Sequence, residues 1–460
     1  QGGMGVGVSS WRLANAVARR GQLGVVSGTA VETLLVRRLQ DGDEGGHMRR
    51  AMERFPLPEV AADVLGKFYR PAGRPASTPY RMLPMYRKDA SVARVRITIL
   101  ANFVEVWLAR EGHAAPVGIN LLTKVQLPNL AALYGAMLAD VGYVLMGAGI
   151  PREIPGVLDA FAEGRATSLR LEVDGLRDGR EERVTFDPAD HLDPPPPLRR
   201  PAFLAIIASN SLATMLARKA SGRVDGFVVE GPTAGGHNAP PRGSAPLNER
   251  GEPTYGERDL VDLAKLRELG VPFWLAGGTG SPGALRAARA AGAAGIQVGT
   301  LFAYTDESGL TETLKRSVLE HAARGEVEVF TDPRASPTGY PFKVVRWPAD
   351  PAMAAEPRRR VCDIGGLRVP YEQPDGRIGY RCPAEPVDAY VQKGGALEDT
   401  VGRRCLCNAL VANVGHAQLR EDGRAEPVLL TSGDDLTLLR EFLRGRVSYS
   451  AGDVLDYLAG

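Results

Sequence analysis

The stretch AGGTGSPGALRAARAAGAAGIQVGTLF (residues 276–302) decides the fold, because it contains two strand ends that open onto helices. The first strand ends at the glycine pair 277–278, and the Ser-Pro pair 281–282 is typical of a helix start. The second strand ends at the Gly-Thr pair 299–300. Bare glycine N–H groups next to helix starts favour anions. The stretch therefore predicts an anion-binding edge on a parallel sheet.

The same alternation of short apolar runs and helical segments continues through much of the chain. Buried parallel strands are rich in Val, Ile and Leu, and repeated strand-helix units indicate an α/β fold. The runs with this character are 23–28, 116–122, 142–149, 167–173, 202–209, 225–231, 272–278 and 294–302, preceded by GVGV at 5–8.

This number of strands is about what a (β/α)8 TIM barrel requires, and we predict that α/β fold over a doubly wound open sheet. We expect a barrel of residues 1–325, with a helical insertion at residues 30–110 after the second strand. Residues 326–460 are expected to form an irregular, partly helical C-terminal extension. The proline-rich segment 186–201 predicts an extended surface loop.

The composition is ordinary for a globular enzyme, with 44% hydrophobic and 24% charged residues in 460. A formal net charge of +2 gives no broad basic surface, so we expect no nucleic-acid partner. No apolar run approaches the roughly 20 residues that span a bilayer, and the first residues lack the pattern of a signal peptide. We therefore expect a cytoplasmic protein with no membrane partner.

The sequence VVEGPTAGGHNAPPRG (228–243) contains the best candidate for a catalytic side chain. A strand that ends at Glu230 runs into a turn of small residues, and His237 follows Gly235 and Gly236. The glycines allow a bound molecule to approach closely, so the imidazole could project over it. We predict His237 as a general base, since an ordinary histidine pKa lies near neutral pH.

Six short motifs occur in the order and at the spacing of a known family over roughly residues 1–310. Through these motifs the chain resembles the nitronate monooxygenase, or 2-nitropropane dioxygenase, group of FMN-dependent (β/α)8 barrels. Related barrels in that group are FMN-dependent enoyl reductases. The motifs are QGGM (1–4), GINL (118–121), GAGIP (147–151), AGGH (234–237), LAGG (275–278) and VGTLF (298–302).

The resemblance implies FMN as the cofactor and gives roles to particular residues. Gly3 and Met4 would lie against the flavin ring, and Asn120 would hydrogen-bond its polar edge. Glu230 stands where the family usually has Gln, and Thr233 where it has Glu, so a carboxylate near the flavin could change its redox tuning or the substrate charge preference. The residues implied to hold the ribityl phosphate are Gly235, Gly236, Gly277, Gly278, Gly299 and Thr300.

The activity implied by the resemblance is oxidation of a nitronate-like or activated carbon acid with O2, with His237 as the base. An alternative is an NAD(P)H-dependent FMN enoyl reductase acting on acyl thioesters in polyketide or lipid synthesis. A non-catalytic barrel scaffold is the third hypothesis. The expected partners are a small-molecule substrate and O2 or NAD(P)H. The apolar stripe of residues 95–112 predicts a core contact or the contact of a homodimer.

The only four cysteines lie close together in the C-terminal region, which is unlike a random distribution. Disulfides are rare in cytoplasmic proteins, so the cluster favours zinc or an iron-sulfur cluster held by thiolates. The C-x-C spacing is unusual for tetrahedral zinc. Buried structural thiols are the main alternative, and a redox-active cysteine or a disulfide is a further one. The candidate ligands are Cys362, Cys382, Cys405 and Cys407.

Overall fold

A parallel seven-stranded sheet forms the centre of the computed structural model, which describes residues 1–177, 179–243, 246–350 and 358–460. Its strand order is β1-β2-β3-β6-β7-β8-β9, so the chain adds strands in one direction only. This order excludes the doubly wound alternative, in which the strand order reverses. The strands are β1 (Gly24–Ser27), β2 (Val117–Leu122), β3 (Tyr143–Gly147), β4 (Thr167–Leu171), β5 (Glu182–Phe186), β6 (Ala202–Ile207), β7 (Gly226–Glu230), β8 (Phe273–Ala276), β9 (Gly295–Gln297), β10 (Glu328–Asp332), β11 (Phe342–Arg346), β12 (Val369–Glu372) and β13 (Ile378–Arg381).

The helices lie between and around these strands. Among the described helices, none combines the length and the apolar character needed to cross a bilayer. They are α1 (Trp11–Arg19), α2 (Val31–Gln40), α3 (His47–Met52), α4 (Pro58–Phe68), α5 (Val92–Arg110), α6 (Asn129–Leu138), α7 (Ile154–Ala162), α8 (Asn210–Lys219), α9 (Leu263–Arg267), α10 (Pro282–Ala290), α11 (Thr300–Ala303), α12 (Glu312–Ala323), α13 (Val387–Gln392), α14 (Leu406–Ala412), α15 (Leu439–Leu443) and α16 (Ala451–Ala459).

The first two residues connect the two edges of the parallel sheet. The amino group of Gln1 donates a hydrogen bond to the Leu23 carbonyl oxygen beside β1 at 3.0 Å. The Gly2 N–H donates to the Val298 carbonyl oxygen just beyond β9, also at 3.0 Å. Because adjacent residues reach both edges, the edges stand about one strand apart and the sheet is curled.

Two of the predicted barrel strands are wrong. The GVGV segment at 5–8 is a turn, in which Gly5 and Gly7 have φ of +56° and +68°, outside the range of a strand. The run at 167–173 contains β4, but β4 pairs antiparallel with β5 in a separate two-stranded sheet. Only the last residue of β4 is buried, which suits a half-exposed hairpin rather than a barrel strand.

The predicted insertion at 30–110 contains helices α2 to α5, between β1 and β2. Helix α5 is buried along most of its length and packs against α1, α2 and α6. The apolar stripe predicted at 95–112 is therefore a core contact within this chain. Gly135 of α6 lets the two helices approach closely, since a Cβ there would lie 2.2 Å from the Ile99 carbonyl oxygen of α5.

Replacing Gly135 by Ala is expected to lower the free energy of unfolding by about 1–3 kcal/mol, because the added methyl group forces α5 and α6 apart. The matched control is Gly66→Ala in α4, where a Cβ meets nothing within 4 Å. That variant should be neutral or more stable by about 0.5–1 kcal/mol, since Ala favours a helix over Gly. Urea unfolding followed by circular dichroism measures both. Equal effects of the two substitutions would contradict the packing.

The C-terminal region shares an apolar core with the sheet and its helices. It contains the hairpins β10–β11 and β12–β13 and helices α13 to α16. One cluster of buried side chains joins Leu13 of α1 and Phe302 of α11 to Phe442, Tyr449 and Leu458 near the chain's end. The predicted helical tail is confirmed as α15 and α16, and its apolar side packs on the body of the protein.

Candidate active site

A cavity of about 500 Å³ lies at the carboxyl edge of the parallel sheet, within the size range of small-molecule sites. The structure brings all the predicted cofactor and catalytic residues to its wall, because the carboxyl ends of parallel strands meet at one edge. They are Gly3, Met4, Asn120, Glu230, Gly235, Gly236, His237, Gly277, Gly278, Gly299 and Thr300.

The ends of β8 and β9 form a cradle of backbone N–H groups. Gly277 and Gly278 have φ of +88° and +66°, and a Cβ on Gly277 would lie 2.9 Å from the Ala234 nitrogen. In the described part of the chain, the N–H groups of Gly277, Gly278 and Thr300 have no hydrogen-bond acceptor. Ser281 caps α10 and Pro282 begins it, as predicted. The cradle has free donors for an anion.

The C-terminal segment 431–435 occupies part of the predicted phosphate site. The Gly236 N–H donates to Thr431 Oγ1 at 2.8 Å, so this predicted donor is used within the chain. Gly235 packs so tightly that a Cβ would lie 2.7 Å from the Ser432 carbonyl carbon. The Gly433 N–H donates to Thr300 Oγ1 at 3.0 Å. The motifs singled out in the sequence do not include this segment, whose local signal is the acidic, glycine-containing stretch TSGDD.

Asp435 is the acidic group of that segment nearest the cradle. Burial raises the pKa of its carboxyl group, and its Oδ1 atom is buried without a hydrogen-bond partner among the described residues. An added Cβ on Gly280 would lie 3.1 Å from its other carboxyl oxygen, which places Asp435 beside the cradle. A phosphate bound there would therefore lie close to this carboxyl group, whose pKa is raised by burial and lowered in part by a hydrogen bond with Thr300.

Asn120 and Gly3 form another part of the cavity wall. The Asn120 Nδ2 atom donates to the Gly3 carbonyl oxygen at 3.0 Å. Its Oδ1 atom is buried and has no partner among the described residues. Gly3 approaches so closely that a Cβ would lie 2.4 Å from the Asn120 Cβ. An orphaned amide oxygen on a cavity wall is suited to accept a hydrogen bond from a ligand N–H.

His237 is positioned by the C-terminal region. Its Nε2 atom lies 2.7 Å from Ser336 Oγ, and its ring stands edge-on to Phe342 at a centroid distance of 4.9 Å. Burial, and secondly the positive charge of Lys124, lower the His237 pKa to about 4. The prediction of an ordinary histidine pKa is wrong, since the imidazole is neutral at neutral pH.

Glu230 is the last residue of β7, and its pKa is shifted upward, opposite to that of His237. Its carboxyl group has no hydrogen bond or ion pair with any described residue. Burial raises the pKa of this carboxyl group to about 7. The group in this cavity with a pKa near neutral is therefore the carboxyl group of Glu230 rather than the imidazole of His237.

The insertion and the C-terminal region together form a roof over the cavity, which we define as residues 82–86 and 363–368. Arg368 joins its two parts by donating a hydrogen bond to the Tyr86 carbonyl oxygen at 2.7 Å. The pair of Arg94 and Glu32, at 3.0 Å, stands on the cavity wall near the roof. Most roof side chains that line the cavity are apolar: Met82, Leu83, Pro84, Ile364 and Leu367.

The four cysteines gather around a second, much smaller cavity of about 10 Å³. All four are free thiols, and burial raises the pKa of Cys362 and Cys382 to about 12 and that of Cys407 above its usual value. Within the described ranges, no three His, Cys, Asp or Glu side chains are arranged to hold a metal ion. The predicted zinc or iron-sulfur site at Cys362, Cys382, Cys405 and Cys407 is therefore not supported by the arrangement of the described residues.

A parallel sheet wound in one direction, with a cavity and a glycine cradle at its carboxyl edge, is the arrangement of α/β enzymes that bind phosphorylated ligands. Residues 182–333 match the family model described as nitronate monooxygenase. The predicted resemblance to that family of oxidoreductases is thereby confirmed. A probable nitronate monooxygenase of Staphylococcus haemolyticus (strain JCSC1435) is 35% identical over 97 residues, which are 21% of this chain. The match spans about a quarter of that relative, 26% of its length.

Solved structures also resemble this chain at low sequence identity. FabK from Thermotoga maritima has a TM-score of 0.48 and 16% identity, covering 100% of this chain and 90% of its own. Nitroalkane oxidase from Streptomyces ansochromogenes has a TM-score of 0.46 and 17% identity, covering 100% and 93%. The enoyl reductase domain of MlnA, from the macrolactin cluster of Bacillus amyloliquefaciens, has a TM-score of 0.47 and 12% identity, covering 99% and 90%.

Proposed function

We propose that this protein is an FMN-dependent oxidoreductase. The observation that carries the proposal is the single cavity that unites the free N–H groups of the cradle with the orphaned Asn120 Oδ1 atom. These groups fit a ligand that carries a phosphate at one end and a polar ring edge with an N–H donor at the other. The match of residues 182–333 to the nitronate monooxygenase model supports the same choice.

The proposed binding roles follow from the donors that the chain leaves free. The N–H groups of Gly277, Gly278 and Thr300 hold the phosphate, and Asn120 accepts a hydrogen bond from the ring edge. Gly3 and Met4 border the ring. In the complete barrel that we propose, residues 1 and 2 occupy the eighth strand position, between β9 and β1. Bound FMN supplies the redox chemistry by accepting or donating electrons.

His237 is the proposed base for proton removal from a nitronate-like or activated carbon acid, with O2 as the oxidant. Its pKa of about 4 keeps the imidazole neutral, and thus able to accept a proton, throughout the neutral range. Ser336 Oγ lies 2.7 Å from Nε2 and fixes the ring orientation. The Nδ1 atom has no partner among the described residues, so it is the nitrogen available to take the substrate proton.

The apolar roof favours a second candidate, the NAD(P)H-dependent reduction of an enoyl thioester. A small nitronate leaves the roof side chains without a contact. An acyl chain would instead cover Met82, Leu83 and Leu367, and each buried CH2 group adds about 0.8 kcal/mol. The chemistry that this candidate shares with the first is an FMN-dependent redox step in the same cavity.

The test is an anaerobic titration of the purified protein, loaded with FMN, while its visible absorption is recorded. NADPH is added first and a small alkyl nitronate second. We expect a flavin band that one of the two bleaches. Bleaching by nitronate alone supports a monooxygenase, and bleaching by NADPH supports the reductase. If the protein binds no FMN, the proposal is wrong and a scaffold role is favoured.

A further inference from the structure

Glu230 has no role in the proposed function as described, although it stands next to the cradle. It ends β7, and its register partner Ala276 directly precedes Gly277. Its carboxyl oxygens make no hydrogen bond or ion pair with a described residue. Glu230 is half-buried on the cavity wall, and a carboxyl group that loses its water to a ligand without gaining a partner is costly. The partner available to the Glu230 carboxyl group is therefore a ligand that enters the cavity.

Among the residues that the structure describes, no neighbouring charge favours the ionised form of Glu230. The neighbouring strands β6 and β8 end in Ile207 and Ala276, which are apolar, and burial is the single cause of its raised pKa. The charged or titratable groups elsewhere on the cavity wall are Glu32, Tyr86, Arg94, His237, Arg242, Tyr255, Asp259, Tyr340, Asp363, Arg368, Cys407 and Asp435.

We propose that Glu230 binds FMN as a neutral carboxylic acid that donates a hydrogen bond to the flavin, so that FMN binding is linked to protonation of this one side chain. The inference rests on the proposed function. A flavin ring that covers an ionised Glu230 would remove its water without supplying a donor. The acid form avoids this cost and contributes an O–H donor. The proton is taken up from solvent if Glu230 is ionised beforehand.

Because FMN binds the protonated form of Glu230, we expect FMN to bind more weakly as the pH rises. Binding favours the protonated form, so the FMN dissociation constant stays constant below the Glu230 pKa of about 7 and rises above it. The limiting slope is about tenfold per pH unit, and from pH 7 to pH 9 we expect an increase of about 50-fold. The phosphate of FMN loses its second proton near pH 6 and does not titrate in this range.

The experiment measures FMN affinity by quenching of flavin fluorescence at pH 7, 8 and 9. Wild-type protein is compared with Glu230→Gln, which is neutral at every pH and keeps an N–H donor. The matched control is Asp259→Asn, since the Asp259 side chain also lines the cavity but already accepts hydrogen bonds from the Arg242 and Gly256 N–H groups. We expect the wild-type slope in the control and a flat profile in Glu230→Gln.

A second measurement needs no variant. Calorimetric titration of wild-type protein with FMN at pH 8, in two buffers with different heats of ionisation, reports proton uptake, and we expect about one proton per FMN. The same slope in Glu230→Gln and wild type, or no proton uptake, would overturn the role of Glu230 while leaving FMN binding intact. Failure of the wild-type protein to bind FMN at any pH would instead reject the proposed function, and this inference with it.

Discussion

Replacing His237 by Ala is expected to lower turnover by about 10² to 10⁴-fold while FMN remains bound, because proton transfer from a positioned base contributes that much. The imidazole contacts Ser336 and Phe342 and lies outside the N–H cradle, so its removal leaves the phosphate donors in place. Turnover is measured at saturating FMN with the substrate that bleaches the flavin. The control is His113→Ala, whose Nε2 atom contacts the Ala109 carbonyl oxygen outside the cavity.

The pH profile gives an independent check on the same residue. Because the His237 pKa is about 4, its neutral form predominates above about pH 5. At saturating FMN, turnover should therefore not fall between pH 8 and pH 6 through protonation of this base. Near-normal turnover of His237→Ala would reject the assignment. A His237-dependent loss of activity centred near pH 6.5 would show that the imidazole is solvated rather than buried.

The strand ends could be predicted from the sequence because the backbone there imposes local requirements. Gly277 and Gly278 adopt positive φ, which favours glycine, and Ser281 and Pro282 are common at a helix start. The two wrong predictions of barrel strands, at GVGV and at β4, have a common cause. Apolar composition shows that a segment is partly buried, but it does not show which strand it pairs with or whether it pairs at all.

The composition of the candidate site was predictable where short motifs mark it, and was missed where contacts come from distant segments. The Gly236 contact to Thr431 spans 195 residues, and the His237 contact to Ser336 spans 99. No local pattern reveals such pairs. The pKa values of Glu230 and His237 could not be predicted from the sequence either, because they are set chiefly by burial in the folded chain.

The cysteines show that a correct prediction of proximity does not by itself establish metal binding. Their clustering in sequence predicts that they meet, and the structure places Cys362, Cys382, Cys405 and Cys407 around one small cavity. Metal binding also requires thiolates in ligand geometry. Burial and the mutual influence of the neighbouring sulfur atoms raise the pKa of Cys407 and oppose formation of its thiolate. The spacing of the cysteines alone does not show whether the thiol or the thiolate form is favoured.

Replacing Gly277 by Val is expected to weaken FMN binding by about 100-fold or more. The side chain would enter the cradle, where a Cβ already lies 2.9 Å from the Ala234 nitrogen, and β-branched residues do not favour a φ of +88°. Two charge-assisted hydrogen bonds from Gly277 and Gly278 to phosphate contribute about 1.5–3 kcal/mol each, and each 1.4 kcal/mol is tenfold in affinity. Flavin fluorescence quenching measures the dissociation constant.

Riboflavin separates loss of the phosphate contacts from general damage to the fold. It lacks the phosphate, so its affinity should be weak in wild-type protein and nearly the same in Gly277→Val. The control Gly283→Ala adds a Cβ in α10 whose nearest contact is Ser281 Oγ at 3.9 Å, and it should bind FMN as the wild type does. If Gly277→Val lost riboflavin and FMN affinity equally, the cradle would not be the phosphate site. If it retained full FMN affinity, the free N–H groups at the end of β8 would have no part in binding.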